Sequence, residues 1–168
     1  MAAIHEAETQ WHKGEEEMHK ILRVPEQENP TSPFLTPYAA NLLVRSPLVA
    51  IGTLDSEDRP WTTIWGGQAG FSKPVAQSII GMKATVDRTN DPVLRRLLGD
   101  NADGEVVRAE GVGKMVGGLA IDLESRSRVK LYGRMIAGAM SATEKDIGEV
   151  QLVVKIEQSL GEYWQHLQ

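Results

Sequence analysis

Three groups of residues in this chain have the types and spacing to do chemistry. The first is basic. Strand alternation across Ser125-Arg-Ser-Arg-Val-Lys-Leu-Tyr-Gly-Arg134 puts Arg126, Arg128, Lys130, Tyr132 and Arg134 on one face, with Val129, Leu131, Gly133 and Met135 on the other. Guanidinium and ammonium groups in such a row give charge-assisted bonds to phosphate oxygens. The same row also suits an exposed strand face carrying solubilising charge. The second group is Trp61-Thr-Thr-Ile-Trp65, where Thr62 points opposite to Trp61, Thr63 and Trp65. Hydroxyls beside aromatic planes suit a flat ring with polar edges. Two bulky anchors on one face equally suit a core strand. The third group is His5, His12 and His19, spaced by seven on a helical pattern. His12, Glu16 and His19 can approach a metal, or can be solvated residues of an amphipathic helix. There is no HExxH pattern, and His166 stands apart.

Other chemistries are excluded by what is missing. The chain has no cysteine, which removes disulfides, thiolate metal sites and thiol nucleophiles together. It has no GxSxG elbow, no GxGxxG and no GxxxxGK[ST]. Gly111-Val-Gly-Lys-Met does not separate a strand from a helix and so is not a phosphate loop. Asp55, Glu57 and Asp58 sit in a polar turn and read as turn formers rather than an acid/base pair. A net charge of -5 argues against nucleic acid as a partner. No apolar run approaches the ~20 residues of a membrane span. The charged, acid-bearing stretch Met1–Lys20 is neither a secretory signal nor a transit peptide, so a cytoplasmic protein is expected.

The elements that must position these residues follow from pattern. With 168 residues, one domain is expected. Glu6–Leu22 predicts a helix with Trp11, Met18 and Leu22 on a narrow stripe. Pro25, Pro30, Pro33 and Pro37 make Val24–Pro37 an extended linker, and a short helix follows over Pro37–Arg45. Residues 1–36 are thus an N-terminal helix and linker, and 37–168 the main domain. Leu48–Leu54 and Pro60–Trp65 form a hairpin around the turn Asp55–Arg59. Further strands are expected at Ser78–Lys83, Lys114–Asp122, Arg128–Met140 and Glu149–Gln158. Asp91–Leu98 predicts a helix capped by Asn90 or Asp91, with Pro92 in its first turn. Six strands joined mostly by short turns, with peripheral helices, make a mainly β chain and a closed or partly closed barrel.

These residues resemble a known family. Ala50-Ile-Gly-Thr-Leu-Asp-Ser-Glu-Asp-Arg-Pro-Trp-Thr-Thr, then Gly66-Gly67 and Gly70-Phe71, look like the pyridoxamine 5′-phosphate oxidase-like, FMN-binding split-barrel superfamily. Gly118–Arg134 is similar to that group's recurring hairpin, and Asn90-Asp91-Pro92-Val93 fits between them. The resemblance covers roughly Ala39–Leu160. It runs toward the branch that forms the N-terminal domain of ferredoxin-reductase-like flavoproteins, to which Trp11–Met18 is also similar. It implies a six-stranded antiparallel split β-barrel, a homodimer, and FMN in a groove shared by two subunits. The strand after the proline would run beside the flavin, bringing Trp61, Thr62, Thr63 and Trp65 to it. The next strand and turn would supply Met82, Lys83, Arg88, Thr89 and Asn90, and the basic hairpin Lys130 and Arg134.

Two departures from the family divide the functional reading. Its third residue after the proline is often a phosphate-binding arginine; here it is Thr63, and Lys83 and Arg88 are the candidates to replace that charge. Relatives usually close the barrel with a Gly-Asn-Cys-Pro-Lys-Tyr-like segment; this chain reads Ser159-Leu-Gly-Glu-Tyr-Trp164. One reading is an FMN-dependent oxidoreductase of unknown substrate. The alternative is a non-catalytic dimerisation or binding module with a degenerate flavin site. A third, haem bound by a relative of this fold, needs an axial ligand that the N-terminal histidines are poorly placed to give.

Overall fold

The computed structural model describes residues 10–99 and 103–161. In chain order these form α1 (Lys13–Leu22), α2 (Pro37–Arg45), β1 (Leu48–Leu54), β2 (Pro60–Gly66), β3 (Ser72–Ala76), β4 (Ile79–Asp87), α3 (Pro92–Leu98), β5 (Val106–Arg108), β6 (Met115–Ile121), β7 (Arg128–Ala142) and β8 (Ile147–Gly161). Every strand pairing is antiparallel, and the sheet runs β2-β1-β6-β7-β8-β4-β3, with short β5 lying on β7.

The sheet curls around one core. The inward residues of alternate positions, among them Val49, Ile51, Trp65, Val116, Val129, Met135, Leu152 and Val154, are buried. Curling brings β2 close to β4, yet no ladder joins them among the described residues, so the barrel stays split there. Helix α3 packs over β1, β2 and β7 through Val93, Leu94, Leu97 and Leu98. Helix α2 covers β3 and β8 through Ala39, Leu42 and Leu43, with Thr36 accepting from the amide of Ala39 at 3.2 Å as its N-cap.

The mainly β antiparallel class matches the sequence reading, but the described residues form eight strands rather than six. The expected strand at Ser78–Lys83 is the second arm of a hairpin, β3–β4, turning at Ser78 (φ 53°). Pro74 hides β3 in the sequence. It is tolerated because β3 ends the sheet and its register shifts between Pro74 and Ala76. The last strand runs longer than Glu149–Gln158. Its end is stitched to the proline-rich segment: Ser32 and Ser159 exchange two backbone hydrogen bonds at 2.9 Å, and the Ser159 hydroxyl donates to the Phe34 carbonyl at 2.7 Å. The first helix begins at Lys13, where His12 caps it; the expected residues 6–9, with His5, lie outside the described residues, as do His166 and Glu162–Trp164.

Candidate functional site

Strand β2 carries the first test. Trp65 is buried, Thr63 half-buried and Trp61 at the rim, all facing in, while Thr62 and Ile64 face out. Asp91, the N-cap of α3, is the hub they meet. Its Oδ1 accepts from the amides of Val93 and Leu94, both at 2.9 Å. Its Oδ2 accepts from the Trp65 indole at 2.8 Å and the Thr63 hydroxyl at 3.1 Å. The position where the resemblance implies a phosphate-binding arginine is therefore a closed unit built on a carboxylate. A phosphate beside Thr63 would lie against the Asp91 oxygen that this hydroxyl serves, and like charges that close repel. This position does not fit the group.

The other sequence-predicted residues are spread over the barrel. Met82 is buried, facing in. Lys83 faces out and pairs with Glu149 at 3.0 Å, which holds the Glu149 carboxyl below its usual range. Arg88 leads into a tied loop. There the Thr89 hydroxyl donates to Asp146 at 3.1 Å, and the Asn90 amide donates to Asp87 at 3.0 Å. The Asn90 side chain first, then the backbone amides of Asn90 and Thr89, keep the Asp87 carboxyl low. Lys130 stands on the outer face, across from Leu119 and Leu160. Arg134 donates to the Tyr132 hydroxyl at 2.8 Å and lies 3.6 Å from Glu157. Arg126 is in the turn before β7 with φ 60°, outside the basic strand face. The eleven residues do not converge on one cavity.

Two of them, Met82 and Lys83, line a groove of about 700 Å³ on the outside of the sheet. Its floor is β4 and β8. One wall is the glycine-rich loop after β2, fixed by the Gly67 amide on the Pro47 carbonyl at 3.0 Å and the Gly70 amide on the Val44 carbonyl at 2.7 Å. Gly70 has φ 86°, a conformation that glycine adopts without penalty. Lys73 from β3 joins Lys83 there, with Glu149 and Gln151 as polar partners. Lys73 and the β8 pair were not singled out from sequence. The signal for Lys73 was present, two residues beyond Gly70-Phe71, but Pro74 concealed the strand that aims it.

The acidic turn carries no available acid or base. Asp55 accepts from the Trp61 indole at 2.9 Å, from Arg59 Nε at 2.9 Å, and from the amides of Glu57 and Arg59. These bonds, the Trp61 indole first, hold its carboxyl far below the carboxylate range. Asp58 supplies the left-handed residue of the turn (φ 57°), the role glycine plays more cheaply. His12 Nδ1 accepts from the Gly14 amide at 3.2 Å, and His19 packs edge-on against Trp11. Among the described residues no three of His, Cys, Asp or Glu gather as metal ligands, and no helix is long and apolar enough to cross a membrane.

No protein-family model matches the chain, and no curated protein matches it. Three solved structures are similar in backbone. HupZ of Group A Streptococcus is 10% identical with a TM-score of 0.46, over 76% of this chain and 99% of its own. An F420 reductase is 11% identical with a TM-score of 0.44, over 71% and 93%. A putative 5-nitroimidazole antibiotic resistance protein from Bacteroides thetaiotaomicron is 7% identical with a TM-score of 0.36, over 78% and 86%.

Proposed function

We propose that this chain is an FMN-binding split-barrel protein that works as a homodimer. It takes the flavin in the groove beside the glycine-rich loop, with the phosphate toward Lys73 and Lys83. The carrying observation is that groove: about 700 Å³, with two ammonium groups at one wall and exposed backbone at the other. That size is ordinary for a cofactor pocket. Bound FMN supplies hydride or electron transfer. The chain's own part is to bind and orient it: Lys73 meets the phosphate, while Lys83, paired with Glu149, borders the groove.

A second copy has a surface to meet. On the outer face of β1, β2 and β6, Ile64 lies opposite Ala50, which lies opposite Leu119. Ile64 is 66% exposed and Leu48 44%. Gly52, opposite both Thr62 and Gly117, keeps the patch flat. Exposed apolar surface of this kind marks an interface.

A second reading is favoured by Asp91. With the Thr63 position closed by a carboxylate, the chain would be a non-catalytic dimerisation or binding module with a degenerate flavin site. Titrating FMN into the protein while following flavin fluorescence separates the two. The proposal expects saturable quenching that Lys73→Glu weakens at least tenfold. Unquenched flavin alongside an intact dimer leaves the second reading.

A further inference from the structure

We propose that the chain carries a second ligand site, a phosphate-binding pocket built by Arg95 and Arg96 of α3, Lys114 ahead of β6, and the β1–β2 turn. The pocket holds about 540 Å³. It lies at the Trp61 end of β2, whereas the groove lies at the Gly66 end, ~17 Å away along an extended strand. The site is independent of the flavin proposal.

The argument rests on how the cations are held. Arg95 Nη2 donates to the Thr89 carbonyl at 2.5 Å and Arg96 Nη1 to the Pro92 carbonyl at 2.8 Å. Lys114 Nζ donates to the carbonyls of Arg96 and Leu97, at 2.7 and 3.0 Å. A carbonyl fixes the direction of a cation without cancelling its charge. Arg59, the fourth cation at the pocket, differs: it is paired with Asp55 at 2.9 Å and Glu57 at 3.0 Å. Among the described residues none of Arg95, Arg96 and Lys114 has an ion pair, and the carboxylate that lines the pocket, Asp55, is spent on Arg59, the Trp61 indole and the turn amides, in a chain whose net charge is -5.

Arg96 is also stacked. Its guanidinium sits 3.8 Å from the centre of the Trp61 ring, and that indole is itself fixed by Asp55. Its Nε is buried and has no hydrogen-bond partner. A buried donor without a partner is costly, so this guanidinium is held by stacking and by its Nη1 bond rather than by a carboxylate. Planar guanidinium groups beside an ammonium suit a tetrahedral phosphate. Leu54 adds an apolar wall, so the pocket has room for a small organic group on that phosphate.

Calorimetry on the full chain, at constant ionic strength in chloride, tests this with inorganic phosphate and with glycerol 3-phosphate. Saturable binding of one equivalent per chain is expected for at least one probe. Tighter binding of the ester identifies a phosphorylated small molecule as the occupant, and equal binding identifies free phosphate. The double variant Arg95→Gln/Arg96→Gln should bind at least tenfold more weakly. Arg95→Gln alone, at an exposed position, should bind about threefold more weakly if the double variant does not fold. Lys20→Gln, at an exposed position of α1 away from both the pocket and the groove, should bind as wild type does. The proposal is overturned by an absence of saturable heat with both probes, by unchanged affinity in the arginine variants, or by an equal loss of phosphate binding in Lys20→Gln. Flavin retention is read separately, so either site can fail without the other.

Discussion

At the scale of single residues, Asp91 and Asp55 do most to organise the site region. Asp91 satisfies two helix amides, a buried indole and a hydroxyl with its two oxygens. Asp91→Ala removes a helix cap and strands the Trp65 N–H in the core, so urea unfolding should show a loss of about 3 kcal/mol. Asp55 acts through its charge. Its folded carboxyl is held below the ordinary range, so the unfolded chain takes up its proton first. Its stabilisation is complete above about pH 4 and fades as pH falls below that. Asp87, Asp122 and Glu149 shift in the same direction and add to the slope. Melting temperatures measured down an acid series should therefore fall less steeply in Asp55→Asn than in wild type. The sequence offered Asn90 or Asp91 as the cap, and the structure selects Asp91. It did not show the second oxygen's partners, because Thr63 and Trp65 reach it only once the sheet has curled over α3.

At the scale of elements, the long ladder β7–β8 is the spine of the sheet. It shifts register between Tyr132 and Gly133, where the two strands press together. A Cβ on Gly133 would run into the Lys155 carbonyl and the Ile156 backbone. Backbone cannot step aside as a flexible side chain can, so Gly133→Ala should destabilise by about 2 kcal/mol or more, measured by urea unfolding. Alternation made β1, β2, β6, β7 and β8 legible, and Pro37 and Pro92 marked two helix starts. Two strands escaped. Pro74 broke the pattern of β3, and Val106–Arg108 is too short to show a period. The price was Lys73, the lysine on the missed strand.

At the scale of the whole molecule, the proposed homodimer would form through the outer face of β1, β2 and β6. Ile64→Arg places a charge at the centre of its exposed patch, and light scattering should show the homodimer becoming a monomer with an unchanged circular dichroism spectrum. A wild-type monomer would remove the homodimer part of the proposal. The groove itself was only half visible in sequence, since it forms where the glycine-rich loop and the β3–β4 hairpin that follows it meet β8 from far along the chain. Its occupant is the central claim. The most direct measurement is the visible absorption of the purified protein after equilibration with FMN and removal of the excess by gel filtration. The account predicts a yellow protein carrying close to one flavin per chain, and a clear loss of that flavin in Lys73→Glu. A colourless protein from which all FMN has separated would contradict it.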